Sequence, residues 1–177
     1  AMYREGRETL GPDGKAVFDR RSRLAMRKKT DWGRRLRAVS WVQHEYETMT
    51  AFHAAGADVV EPIAMTANAI LMEYVGEEGL GAPVLQRVKL KPGEAPSLFR
   101  QLMRNIELFL ACERVHADLS AYNVLYWRGD FRIIDFPQSV DAFNNPYAFM
   151  LLARDVRRIC EYFRQYGIEA NATDTAT

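Results

Sequence analysis

At 177 residues, the chain has the length of one compact domain, or of two small lobes sharing an interface, and is too short for a multidomain assembly. Its 48% hydrophobic and 11% aromatic content supplies a core beneath a 27% charged surface, which excludes wholesale disorder. Lys plus Arg outnumber Asp plus Glu by 24 to 23, so the global charge calls for neither nucleic acid nor an anionic membrane.

Residues 1–30 hold Gly6, Gly11, Pro12 and Gly14 among many charges, without a period of 2 or 3.6, and read as an irregular basic segment. From Arg20 to Arg37 there are nine basic residues and one acid, a balance of +8 against −7 for the remainder. Such a run is either a solvated face or a surface for RNA, phosphate or an acidic partner. Order is expected from Thr30-Asp31, where either residue can cap a helix. Its apolar positions Leu36, Val39, Val42, Tyr46, Met49 and Phe52 recur every three or four residues up to Gly56. Val59-Val60 with Ile63, then Ala69 to Val75, read as short strands, and Gly76 to Pro83 as a connector.

A second helix is expected from about Pro96 to Arg114, with Leu98, Leu102, Ile106, Phe109 and Leu110 on one face. Two β runs, Asn123 to Trp127 and Phe131 to Ile134, flank Arg128-Gly129-Asp130 and predict a hairpin. A third helix runs from Pro146 to Tyr166 and stops at Gly167, leaving a small polar tail that is expected to fray. Cys112 and Cys160 lack CxxC spacing and read as reduced, buried thiols. With no run of about 20 apolar residues and no apolar leader, the chain reads as cytoplasmic.

Chemistry concentrates in His116-Ala117-Asp118-Leu119-Ser120-Ala121-Tyr122-Asn123 and Ile133-Ile134-Asp135-Phe136-Pro137-Gln138. Asp118 and Asn123 are five positions apart across a loop, and Asp135 follows the second strand of the hairpin. A hairpin brings its outer ends together, so two carboxylates and an amide should converge. Phosphoryl transfer needs such a set: hard oxygen ligands for Mg²⁺ on the nucleotide phosphates, and a separate carboxylate for the attacking hydroxyl. Kinase catalytic loops carry the same order of Asp, four residues, Asn, a hairpin and Asp-Phe.

The two stretches resemble the RIO family of atypical protein kinases, in which Ser follows Asp-Leu and Pro-Gln stands where an ordinary kinase has Gly after Asp-Phe. The resemblance covers about residues 31–167, including Trp41, Glu45, Leu71 to Val75 and Arg154-Asp155-Val156. It implies an α+β, protein-kinase-like bilobal fold, with a partial N-terminal lobe over 31–76, a complete small C-terminal lobe over 77–167 and a tail over 168–177. It implies a serine/threonine protein kinase or ATPase using ATP and Mg²⁺. Asp118 would be the catalytic carboxylate, Ser120 a polar neighbour of the transferring phosphate, and Asn123 and Asp135 the metal ligands. Asp135 is also a candidate phosphoacceptor, as in the family's ATPase-like turnover. His116 would brace the loop, and Asp155 would accept hydrogen bonds from the catalytic-loop backbone. Glu73 and Val75 would meet adenine at the hinge, and Glu45 would pair with the phosphate-gripping lysine. Some family members have ribosomal partners, for which the basic Arg20–Arg37 segment is the candidate surface.

A complete small lobe carries a Gly-rich loop and a strand lysine ahead of the Glu-bearing helix. The glycines upstream of Glu45 lack GxGxxG spacing, and Lys15, Lys28 and Lys29 lie in charged, non-strand settings. Tyr3-Arg4-Glu5 resembles the segment just after the lysine strand, so the chain is expected to begin immediately past that strand. Two other readings stand beside the kinase: a pseudokinase-like binding module, and a small-molecule phosphotransferase sharing the Asp/Asn/Asp set.

Overall fold

The computed structural model describes residues 31–170, with side chains described from Val39 onward. The expected irregular segment 1–30, the residues beyond 170 and the side chains of the Arg20–Arg37 run lie outside the described residues. The architecture is α+β. Helix α1 (Asp31–Ala54) comes first, followed by strands β1 (Pro62–Met65), β2 (Ile70–Met72), β3 (Gly76–Glu77) and β4 (Leu80–Gly81). A 3-10 turn at Leu85–Arg87 leads to α2 (Glu94–Ala111), β5 (Arg114–Val115), β6 (Val124–Trp127), β7 (Asp130–Ile133), β8 (Val140–Asp141) and α3 (Ala148–Arg164). The strands pair antiparallel as β1–β2, β3–β4, β5–β8 and β6–β7.

Helix α1 ends where its periodicity predicts, with Gly56 in the left-handed region at φ 76°. Strand β1 carries a bulge between Pro62 and Ala64, as expected where a proline cannot donate to the ladder. The connector after β2 holds a miniature hairpin, β3–β4, which the sequence reading takes as loop. Gly76 is required there, since a Cβ at its φ of 141° would collide with Leu80 O. Helix α2 starts two residues ahead of Pro96. Glu94 turns back to accept a hydrogen bond from Lys91 N at 2.8 Å, and proline in a first turn forfeits no helical bond. It stops at Cys112, because Glu113 is left-handed. The β6–β7 turn is Arg128-Gly129, with φ of 51° and 95°, the positive pair of a type I′ hairpin. At the end of α3, Gly167 is left-handed and donates to Arg164 O, while Ile168 N reaches Phe163 O.

One buried cluster runs from Met49 and Phe52 of α1, through Leu98, Leu102 and Phe109 of α2, to Ile159 and Phe163 of α3. Ile168 and Ala170 pack against its margin. The segment after α1 is stitched to β7: Ile133 N donates to Asp58 O at 2.8 Å and Val60 N to Ile133 O at 3.4 Å. Asn105, fully buried on α2, clasps Asp58 from the other side. Its Oδ1 accepts from Asp58 N at 2.6 Å and its Nδ2 donates to Asp58 Oδ2 at 2.7 Å. The Glu-bearing helix is therefore anchored to both α2 and the β6–β7 hairpin.

Candidate active site

The β6–β7 register sets Val124 opposite Ile133, and one step outward Ile134 N donates to Asn123 O at 3.0 Å. Asn123 and Asp135 thus leave the hairpin side by side. Asn123 Nδ2 donates to Asp118 O at 2.9 Å, and Asn123 N donates to Ser120 O at 2.9 Å, closing the 118–123 loop on itself. Because the amide nitrogen is engaged, Asn123 Oδ1 is the oxygen left for a ligand. Ser120 Oγ accepts from Tyr122 N at 3.4 Å. Two non-glycine residues aim the carboxylates from left-handed backbone, Ala117 just before Asp118 (φ 63°) and Asp135 itself (φ 73°). Such conformations persist only where the surroundings hold them.

The surroundings here are aromatic. Phe136, fully buried, sets its ring edge against Phe52 of α1 at 5.5 Å and against Phe109 of α2 at 6.2 Å, and lies 4.9 Å from the His116 ring. Phe52 and Phe109 stack at 4.1 Å. His116 Nε2 bonds Ile134 O at 3.3 Å, and burial pulls its imidazole down to about 4, so the ring is neutral. Helix α1 grips the same loop twice. His44 Nε2 bonds Ser139 O at 2.9 Å, and Glu45 Oε1 accepts from Phe136 N at 3.3 Å.

The site is acidic. Burial raises the carboxyl of Asp135 above the usual range, and the charge of Asp118 adds to it. Burial also raises Glu45, the Phe136 N–H partly offsets this, and the charge of Asp135 pushes it further up. Cationic relief comes from α3. Arg158 Nη1 lies 2.8 Å from Asp118 Oδ1, and Arg154 Nη2 lies 3.8 Å from the same oxygen. Arg154 also donates to Ala117 O and reaches Asp155 Oδ1 at 3.5 Å. Asp155 is buried and hydrogen-bonds the backbone of Leu119 and Ala117; burial lifts its carboxyl to about 7 against the pull of Arg154.

Glu73 and Val75 are held by a different set of bonds. Glu73 Oε2 accepts from Glu61 N at 3.2 Å and lies 3.7 Å from Arg132 Nε of β7, and Val75 O accepts from Ala82 N at 2.8 Å. The structure therefore gathers Asp118, Ser120, Asn123, Asp135 and Glu45 at one end of the hairpin, with Glu73 and Val75 beyond β2. Sequence reasoning passed over His44 and Arg158. Arg154 and Arg158 stand at i, i+4 on α3, but Arg157, Glu161 and Arg164 on the same helix make them look like part of a solvated face, so no local signal singled them out.

Among the described residues no group of three or more His, Cys, Asp or Glu could enclose a metal, and no helix is long and apolar enough to cross a membrane. The donor chemistry nonetheless suits a cation that keeps most of its shell as water and phosphate: one amide oxygen, one carboxylate and surplus negative charge.

A family model described as RIO domain matches residues 3–176. The chain is 36% identical over 127 residues to the serine/threonine-protein kinase rio1 of Schizosaccharomyces pombe, covering 71% of this chain and 25% of that protein. It is 33% identical over 131 residues to the RIO-type serine/threonine-protein kinase Rio1 of Thermoplasma acidophilum, covering 74% of this chain and 67% of the relative. Against the serine/threonine-protein kinase RIO3 of Bos taurus it is 30% identical over 130 residues, 73% of this chain and 25% of the relative. The match to the yeast and bovine proteins thus spans about a quarter of their length. The match along nearly the whole chain, over an α+β scaffold that closes the Asp118 loop onto the Asp135 loop, establishes that the chain belongs to the RIO domain family, with its protein-kinase-like fold.

Proposed function

We propose that the protein transfers the γ-phosphoryl group of Mg-ATP to a protein hydroxyl, to water or to Asp135, as a RIO-type serine/threonine kinase or ATPase. The observation that carries this reading is the closure of the Asp118–Asn123 loop onto the end of β7, which brings an amide and two carboxylates close enough for the charge of Asp118 to act on Asp135. Asn123 Oδ1 and Asp135 hold Mg²⁺, which when bound offsets the charge of the β- and γ-phosphates. Asp118 accepts the hydrogen bond of the incoming hydroxyl and so aligns its oxygen for in-line attack. Ser120 lies beside the transferring phosphate, and backbone groups of Glu73 and Val75 meet adenine. Glu45, bonded to Phe136 N, holds the Asp135 loop against α1 and pairs with the phosphate-gripping lysine. The Arg20–Arg37 run, with a balance of +8 in the sequence, is the candidate contact for an RNA-associated partner, tested by the salt slope of RNA binding. Cys112 and Cys160 are both free thiols, in keeping with a cytoplasmic setting.

Titration of the full-length protein with ATP, with and without Mg²⁺, tests the assignment. Asp135→Ala is expected to abolish the Mg²⁺-dependent part of the affinity, and Asp118→Asn to leave affinity intact while lowering turnover by about 10²- to 10⁴-fold. Unchanged nucleotide affinity in Asp135→Ala overturns the metal assignment.

A further inference from the structure

Asp118 sits among acids, and the cations that answer it come from neither the loop nor the hairpin. Helix α3 supplies two arginines to the same oxygen, and they are not equivalent. Arg154, the more buried, is divided among Ala117 O, Asp155 and, at 3.8 Å, Asp118. Arg158, one turn later, makes the short bond, 2.8 Å to Asp118 Oδ1, with both side chains a little over one-third exposed. The contact is single-oxygen. Asp118 Oδ1 is taken by guanidinium, and the backbone carbonyl of the same residue is taken by Asn123.

We propose that Arg158 is a positioning residue for phosphoryl transfer: its grip on Oδ1 from α3 fixes the torsion of the Asp118 carboxylate and leaves Oδ2 as the atom that meets the acceptor hydroxyl. This rests on the role given to Asp118 above. An exposed carboxylate is free to turn about its terminal torsion, and its preferred angles are broad. A guanidinium held on a packed helix removes that freedom, and the loop beneath is already fixed by Ala117, Asn123 and Asp155. Arg158 touches Asp118 and lies away from Asn123 and Asp135 in the bonds it makes, so its removal should act on turnover and not on nucleotide binding.

The test is a double-mutant cycle in the full-length protein, reading kcat and the KM for ATP by steady-state phosphate transfer or release. Arg158→Ala is expected to lower kcat by roughly 10- to 100-fold, the scale of a misplaced reacting group, with KM for ATP within about twofold. Arg158→Lys, which keeps the charge without the planar fork, recovers part of the loss. In an Asp118→Asn background the same Arg158→Ala change has no further effect. Thermal melts accompany each variant, and Arg158→Gln replaces Arg158→Ala should the latter not fold. An unchanged or increased kcat overturns the proposal, as does an equal loss in the Asp118→Asn background or a loss confined to KM. Wild-type turnover indifferent to Asp118→Asn removes the proposed function and this inference together; turnover that needs Asp118 but not Arg158 removes this inference alone.

Discussion

His116 offers a stability measurement that reads the interior of the site directly. Its ring is 2% exposed, packs on Phe136 and Phe109, and finds Ile134 O for Nε2. Burial brings its pKa from 6.5 to about 4. Below pH 6.5 the unfolded chain takes up a proton that the folded chain refuses, so this group's contribution, present at neutral pH, drains away until pH reaches about 4. A shift of this size corresponds to about 3 kcal/mol in full, and to about 2 kcal/mol of it between about pH 7 and pH 5. Glu45 and Asp135, whose carboxyls are raised, act in the opposite sense, since their protonation on acidification favours the folded state. Comparison with His116→Gln, which keeps a donor for Ile134 O and does not titrate, cancels them. Urea denaturation at about pH 7 and pH 5 should show the wild type losing about 2 kcal/mol more than the variant. Equal losses in the two proteins would refute the claim that the imidazole is held neutral.

Two further outcomes concern the packing around the site. Asn105→Ala strands Asp58 N and a carboxylate oxygen in a half-buried place, and should cost about 2–4 kcal/mol in chemical denaturation, whereas a cost below about 0.5 kcal/mol would show that water replaces the amide there. Gly76→Ala meets both a positive φ and the carbonyl of Leu80, and should destabilise the β3–β4 hairpin by more than the ~1 kcal/mol of a positive φ alone, read as faster amide exchange at Ala82.

The parts of the fold legible in the sequence were those whose signal is local and repeated. Helix α1 shows its period along its whole second half, and the β6–β7 hairpin shows alternation around Arg128-Gly129. The start of α2 escaped because Pro96 looks like a first residue, while the Glu94 side chain, bonding back to Lys91, lets the helix begin earlier. The β5–β8 pair escaped because two residues carry no period and the partner strand lies beyond the whole intervening hairpin. At the site, residue type and spacing pointed to Asp118, Asn123 and Asp135, since metal and phosphate chemistry restrict the choices to a few oxygen donors. Arg158 could not be read in that way. A basic residue on an exposed helix face looks solvated until the fold brings the opposing carboxylate to it.

The two bonds from α1 to the loop that follows Asp135, His44 to Ser139 O and Glu45 to Phe136 N, bracket Pro137, and between them the Phe136 ring is sealed in by Phe52, Phe109 and His116. Separating the helix from the loop therefore breaks two hydrogen bonds and an aromatic cluster together. Any movement that takes the Phe136 ring out of this place unpacks the centre of the core and exposes the faces of Phe52, Phe109 and His116. The ionic contact between Asp118 and Arg158 of α3, by contrast, lies at the partly exposed margin and can be disturbed without touching that packing.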